Sequence, residues 1–427
     1  MLITALGAMC VIQEVPPTYW NTDVAPVIAK NCASCHHDGG SAPFPLLERT
    51  DVARRGSFIL KVIDAGRMPP WLPGEEGLEL SHSREMPALE REVLGRWLAE
   101  GALAGEGEAI TVRVPEKPEM RVDLTREMST GLELPEETPA AYHSGEMDKH
   151  AFRFIMANAK PLRVRAIRAT SNAPQTSRVM TVLVEDEGGV RALDHQDPLL
   201  GWRTAADVGY IPGGSHGMLL VGGDHLRLPR GYHWDYPPRS ELALGVHYRP
   251  TGRVEVLKEK LDFELVPEEE ASRPLRWLPA VSIAVDVPAG DVVEAQSLGL
   301  VIPVDVDLVA LTPRAIEICV NTRLVAEFPD GSRRVLLSIP DWDHHSRETY
   351  ILQKPLRLPA GTLIKGTWAL ENTAENPRNP DNPPIDIARR RRAGILSYLL
   401  HVAAVDEDDE DMLKGFGVAH IRSAQRQ

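Results

Sequence analysis

The chain has 427 residues, roughly three average domains at about 150 residues apiece, which excludes a single small fold. Its 47 Lys and Arg stand against 61 Asp and Glu, a formal charge of −14, and such a surface repels a phosphate backbone, which disfavours a general nucleic-acid binder. With 43% hydrophobic and 25% charged residues the composition is globular, and 33 Gly with 35 Pro against 5% aromatic residues point to many turns between short strands.

Residues 2–12 form an apolar stretch, about half of a bilayer span and near the length of a signal-peptide core, with no Lys or Arg before it. A leader lacking its basic start and a plain apolar arm both fit. Gly7 stands where a lipoprotein signal has Leu, which counts against Cys10 as a lipid anchor. No later stretch approaches 18 uninterrupted apolar residues, so no transmembrane span is expected.

The four cysteines, Cys10, Cys32, Cys35 and Cys319, are too few and too scattered for a disulfide framework. Cys319, in an alternating strand pattern, reads as a buried inert thiol. Cys32-Ala33-Ser34-Cys35-His36 is the C-x-x-C-H pattern of c-type haem attachment. On one helical turn two thiols reach the two vinyl groups, and the next residue brings its imidazole under the iron. A redox C-x-x-C pair and half of a zinc site are the alternatives, although the second C-x-x-C of a zinc site is missing. Asp23–Asn31 reads as a helix capped near Asn21 or Thr22, with Val24, Val27 and Ile28 on one apolar face.

A helix is expected over Val52–Ala65, followed by Gly66-Arg67-Met68-Pro69-Pro70-Trp71. The prolines stiffen a non-helical loop, and a stiff loop can hold a thioether against iron. A lone Met is ordinarily core filler; Met68 is nevertheless the expected sixth ligand, with His37 and His82 as competitors. Met86–Ala102 carries Leu89, Val93, Leu94, Trp97 and Leu98 at helical spacing and should pack across the first helix.

Tyr19-Trp20-Asn21, Asp23-Val24-Ala25-Pro26, the Cys32–His36 pentad, Gly40–Leu46 and Arg67–Trp71 together resemble the small c-type cytochrome domain fused to the front of bacterial copper type II, ascorbate-dependent monooxygenase-like proteins. The resemblance implies that Cys32 and Cys35 hold haem c covalently, with His36 and Met68 as the axial ligands of its iron.

The stretch from Gly101 to about Glu137 is charged and weakly periodic, a connection with at most a short strand or two. Alternation then takes over at Leu162–Ile167, Val179–Val184, Leu242–Tyr248 and Ile283–Val287, half-buried strands with no helices interleaved, which favours a sandwich over a parallel sheet. His247-Tyr248-Arg249-Pro250-Thr251-Gly252 and Tyr210-Ile211-Pro212-Gly213 resemble signatures of the first jelly roll of the copper monooxygenases. Phe328–Gly331, Ile339–Asp343, Leu358–Thr362 and Glu371–Pro377 resemble those of the second. The fold class so implied is multidomain, a helical cytochrome c domain followed by two jelly-roll β-sandwiches. The expected divisions are an N-terminal arm or leader (1–17), cytochrome c domain (18–105), linker (106–150), first sandwich (151–270), second sandwich (271–405) and acidic C-terminal tail (406–427).

Peptidylglycine-type monooxygenases hold one copper with three His in the first sandwich and another with two His and a Met in the second, imidazole suiting Cu(II) and thioether Cu(I). Where that family has adjacent His residues this chain reads Val179-Met180-Thr181-Val182, leaving His247 alone. Where it has P-H-M-H, the chain reads Pro313-Arg314-Ala315-Ile316, and His401 stands near the position of the thioether. His247 and His401 are the residual copper positions; the losses argue against copper and against monooxygenase chemistry. A relocated site would draw on His216, His225, His233, His247, His344 and His345, which otherwise read as surface or hydrogen-bonded histidines. Arg389–Arg392 and Asp406–Asp411 read as solvated faces or a mutual electrostatic contact rather than binding patches.

The expected function is therefore one-electron transfer with a redox partner protein or small-molecule donor or acceptor, the copper-free sandwiches serving for docking or ligand binding. The alternatives are a copper- and haem-dependent monooxygenase with non-standard ligands, and a structural protein stapled by haem. Covalent haem attachment implies a periplasmic or exported protein.

Overall fold

A computed structural model of the protein describes residues 16–116, 119–134, 148–185, 188–197, 201–204, 218–221, 225–249, 255–282, 285–387 and 396–425. The apolar N-terminal stretch with Cys10, Tyr210–Gly213, His216 and Arg389–Arg392 lie outside these residues. The chain forms two units, Met1–Pro69 with Arg84–Glu116, and Pro70–Ser83 with Lys117–Gln427. The first is helical and the second is mostly β-sheet.

In the helical unit a π-turn at Trp20–Val24 leads into α1 (Ala25–Asn31), followed by α2 (Arg49–Ala53), α3 (Gly56–Asp64) and α4 (Ala88–Ala99). Pro26 lies in the first turn of α1, where the missing N–H would have had no helical partner. The helix expected over Val52–Ala65 is divided between α2 and α3. Gly56 opens α3 where the chain meets α4, and a Cβ on it would lie 2.4 Å from Leu98 Cδ2. Trp20, Val24, Ile28, Leu94 and Trp97 fill the core, the two indoles tilted with centroids 5.6 Å apart. Their N–H groups donate to the carbonyls of Ile110 and Leu103 at 2.8 and 2.9 Å, so the start of the expected linker is folded onto this unit.

The β unit has two halves. The first comprises β1 (Leu124–Leu134), β2 (Asp148–Ile155), β3 (Leu162–Ser171), β4 (Ser177–Glu185), α5 (Gly189–Gln196), β5 (Trp202–Arg203), β6 (Met218–Val221), β7 (Leu226–Arg227), β8 (Tyr232–Tyr236), β9 (Glu241–Tyr248) and β10 (Glu255–Leu265). The second comprises β11 (Arg273–Val281), β12 (Val292–Gln296), β13 (Leu300–Val301), β14 (Val306–Arg314), β15 (Cys319–Glu327), β16 (Arg333–Ile339), β17 (Tyr350–Leu358), β18 (Leu363–Glu371) and β19 (Ser397–Ala404), followed by α6 (Glu410–Gln425). β1 is an 11-residue strand within the expected linker. Ile283–Val287 is not a regular strand: 283–284 lie outside the described residues, and Val287 makes one bridge, to Ile387.

Sheet order repeats between the halves. In the first, β1-β10-β3-β8 faces β2-β9-β4-β6; in the second, β11-β19-β14-β17 faces β12-β18-β15-β16. The short β5, β7 and β13 pair with β2, β3 and β18. Counting only the eight longer strands of each half, both read 1-8-3-6 over 2-7-4-5. Parallel pairing of β8 with β11 fuses the two outer sheets into one of nine strands, β7 included. Each half closes on its own core, with Phe152, Val182, Leu244 and Phe263 in one and Leu308, Leu324, Trp368 and Leu400 in the other. A bulge between Leu308 and Ala310 in β14 turns Val309 and Ala310 toward the first core while Leu308 and Leu311 stay in the second. Trp277 and Leu399 meet Ala151, Leu183 and Ala243 on the far face of β2, β4 and β9, joining the halves back to face.

The tail from residue 406 is largely a docked helix. Leu413 is fully buried in the second core and Phe416 packs against it. Pro70–Ser83 also belongs to this half. Its backbone bonds both β16 and β17, the end strands of their sheets, so two otherwise free edges are covered.

Asn372 anchors the connection after β18. Its side-chain amide donates to the carbonyls of Val287, Pro288 and Ile385 at 3.0, 3.0 and 2.8 Å. Asn372→Ala leaves buried carbonyls without their donor and should destabilise the β unit by about 2–3 kcal/mol, read as a lower urea midpoint at unchanged slope. An unshifted midpoint would contradict this role.

Candidate functional site

The Cys32–His36 pentad continues α1 as a final turn. Cys32 and Ala33 N–H groups both donate to Ile28 O at 2.9 Å, and the Cys35 and His36 N–H groups donate to Cys32 O at 3.1 and 2.9 Å. That turn brings two thiols and an imidazole together within five residues, with both cysteines free of a disulfide. Cys35 is exposed and Cys32 half-buried. Burial, with Cys35 beside it, pushes the Cys32 thiol up to about 12, so it is protonated at neutral pH.

His36 Nδ1 lies 2.9 Å from the carbonyl oxygen of Phe44. A carbonyl only accepts, so Nδ1 carries the proton and Nε2 keeps its lone pair. Burial lowers the imidazole pKa; the Phe44 carbonyl opposes that, and Arg55 adds to it from 4.5 Å over the Phe44 ring. A neutral ring with its outer nitrogen fixed by a carbonyl is the state in which histidine ligates metal. The Phe44 loop is tied back at two points, Ala42 N–H to Cys35 O at 3.1 Å and Leu46 N–H to His36 O at 3.0 Å. Gly40 permits this closure, because a Cβ there would lie 2.2 Å from Cys35 O.

Met68 follows the end of α3. Gly66 has φ +65°, its N–H donates to Ile63 O at 2.9 Å, and the Arg67 N–H donates to Val62 O at 2.9 Å, the paired bonds of a Schellman stop. Two residues past this glycine, Met68 is 44% exposed on the helical unit. Of the competing sixth ligands, His37 has Nδ1 3.0 Å from Ala33 O, while His82 belongs to the β unit, its ring 6.5 Å from that of His225.

The residual copper positions are both buried in the β unit. His247 Nε2 lies 3.4 Å from Arg347 Nη2, and its ring stacks on His344 with centroids 5.6 Å apart. The His345 ring is a further 5.5 Å from His344. Thus three of the six histidines considered for a relocated site are neighbours, whereas His233 bonds Ser272 Oγ at 2.8 Å and His216 is outside the described residues. A guanidinium beside His247 Nε2 repels a metal cation. His344 Nδ1 donates to Ala315 O at 3.0 Å. Glu317, 3.6 Å from His344 Nε2, is held at 2.5 Å by Lys149. Among the described residues no group of three or more His, Cys, Asp or Glu is arranged to hold a metal. His401 Nε2 is occupied by Thr312 Oγ1 at 2.9 Å, itself 2.7 Å from Thr349 Oγ1. Arg347, Glu317 and Lys149 were not legible as partners in the sequence, since Lys149 and Glu317 are 168 positions apart.

No protein-family model matches the chain, and no curated protein matches it in sequence. Among solved structures, cowpea mosaic virus top component, the naturally occurring empty particles, superposes with TM-score 0.24 at 9% identity over 60% of this chain and 88% of that one. The A223 turret protein of Sulfolobus turreted icosahedral virus gives 0.16 at 11%, over 66% and 98%. A two-domain protein of unknown function from Bacteroides fragilis gives 0.16 at 7%, over 59% and 84%. Superpositions this loose carry no functional inference.

Burial lowers the His401 pKa to about 3, against ~6.5 when unfolded. The unfolded chain therefore binds the extra proton between those values. The corresponding stability is intact above ~6.5 and falls, by at most about 1.4 kcal/mol per pH unit, as pH drops toward 3. His401→Gln should lose less stability on acidification from pH 7 to 4.5 than the parent, measured by urea unfolding. Parallel pH profiles would contradict a neutral buried His401.

Proposed function

We propose that the chain is a one-electron carrier, a monohaem c-type cytochrome domain joined to two copper-free jelly rolls of the copper type II monooxygenase kind. The observation that carries this reading is the His36–Phe44 bond at the end of a turn that also bears Cys32 and Cys35. Those residues fit the group: two free thiols three positions apart, and a neutral imidazole next to them. Cys32 and Cys35 would form the thioether links, and His36 Nε2 and Met68 Sδ would hold the iron. When bound, haem c supplies the one-electron iron couple.

The protein's own tasks follow from that assignment. The Phe44 carbonyl keeps the proton on His36 Nδ1 and fixes the plane of the ring. The Gly66 stop fixes where Met68 leaves α3. A thioether ligand favours the reduced metal and raises the potential. The repeated 1-8-3-6 and 2-7-4-5 strand order supports the jelly-roll reading of both β halves. Their role would be docking of a redox partner protein or binding of a small donor or acceptor. Arg347 against His247 and Thr312 on His401 speak against the copper-dependent alternative. Thioether attachment of haem outside the cytoplasmic membrane makes the periplasm, or export, the corresponding location.

Expressed in a host that attaches haem c, the protein should give one haem per chain by pyridine haemochrome, and the Cys32→Ala, Cys35→Ala double variant none that survives acid–acetone extraction. Extractable haem, or no haem, in the parent would overturn the reading. Met68→Ala should keep covalent haem and lower the midpoint potential in an anaerobic titration; an unchanged potential would remove Met68 as ligand.

A further inference from the structure

We propose that Arg55 is a fixed cation beside Phe44 and His36, and that its charge raises the potential of the iron His36 would hold. This rests on the haem reading above.

Phe44 meets His36 twice. Its carbonyl accepts the Nδ1 proton at 2.9 Å, and its ring lies against the imidazole, centroids 5.1 Å apart and planes at 46°. The Arg55 guanidinium stands over that same Phe44 ring, Cζ 4.5 Å from the centroid, inside the range at which an aromatic face attracts a cation. One hydrocarbon ring thus touches both the imidazole and the charge. Such surroundings screen a charge far less than water does.

The cation is held in place by backbone and side chain together. Arg55 caps α3 where it follows α2, its N–H donating to Val52 O at 3.2 Å and its carbonyl accepting from Ile59 N–H at 2.9 Å. Val52 and Ile59 are themselves buried in the helical core. Arg55 Nη1 also donates to Asp51 O at 3.2 Å. Its charge is not cancelled there. Among the described residues Asp51 is the carboxylate paired with Arg55, at 3.5 Å, yet Arg54 holds the same carboxylate at 2.7 Å. Two guanidiniums therefore share one negative charge. They differ in setting, because the Arg54 side chain is 61% exposed and that of Arg55 24%. Solvent screens the first far more than the second.

The consequence lies in the one-electron couple. Ferrous iron gives one electron to the acceptor and becomes ferric; no bond or proton moves, and the site gains one positive charge. A guanidinium nearby opposes that gain and favours the ferrous state. The Met68 thioether acts in the same direction, so the test has to separate the two.

That test uses the full-length holoprotein as parent, Arg55→Met, Arg55→Lys, Arg54→Met and Asp51→Asn. Pyridine haemochrome measures covalent haem, the near-infrared thioether-to-ferric-iron band reports Met68, and an anaerobic titration gives the ferric-to-ferrous ratio at a fixed ambient potential. Arg55→Met should keep its haem and the band and raise that ratio about tenfold, the order expected for one partly screened charge, equal to a fall of about 59 mV for a one-electron couple. Arg55→Lys, which keeps the charge, should stay closer to the parent. Arg54→Met should leave the ratio nearly unchanged. Asp51→Asn removes the neighbouring negative charge, so it should lower the ratio, and it serves if Arg55→Met does not accumulate. A parental ratio or a lost band in Arg55→Met, an equal rise in Arg55→Lys or Arg54→Met, or no fall in Asp51→Asn would overturn the role of Arg55 while leaving the carrier reading standing. A parent without covalent haem would overturn the carrier reading itself.

Discussion

The bond from His36 Nδ1 to the Phe44 carbonyl is the constraint on which the proposed function depends. Without it the imidazole could turn or carry its proton on either nitrogen. Several features serve that bond. Helix α1 delivers the pentad as its last turn, Gly40 lets the loop pass over Cys35 O, and Leu46 ties the far side back to His36 O. The Trp20 and Trp97 indoles, packed together with their N–H groups bonded, share a core with Ala33 of that turn.

The β unit uses a different economy. Two halves of the same strand order share one continuous sheet, so β14 and β19 are buried along their whole length. The face between the halves carries polar groups: Lys149 bonded to Glu317, His344 bonded to Ala315 O, Arg347 beside His247, and His401 on Thr312. Burying such groups is costly, and removing one member strands its partner. Under the proposed reading these halves are copper-free counterparts of sandwiches in which histidines bind metal. Here the two residual positions have neighbours of their own, one a fixed cation.

Local chemistry was the legible part of the sequence. The pentad, the stiff loop at Gly66–Trp71 and the strands at Leu162, Val179 and Leu242 could be read from short-range pattern. The division of Val52–Ala65 escaped because it depends on how near Gly56 comes to Leu98. The docked C-terminal helix was hidden behind its acidic start, since among its described residues Leu413 and Phe416 are the hydrophobic side chains packed on the second core. Likewise Pro70–Ser83 reads as a loop, and its role comes from β16 and β17, more than 250 residues away in the chain. The Phe44 carbonyl could not be foreseen either, because backbone acceptors leave no mark in residue identity.

Iron and copper quantified together on the purified holoprotein, after maturation with both metals supplied, test the account most directly. It predicts one iron per chain, retained through denaturation, and copper far below one. Iron that dialyses away on unfolding, or a full equivalent of copper that depends on His247 or His401, would contradict it.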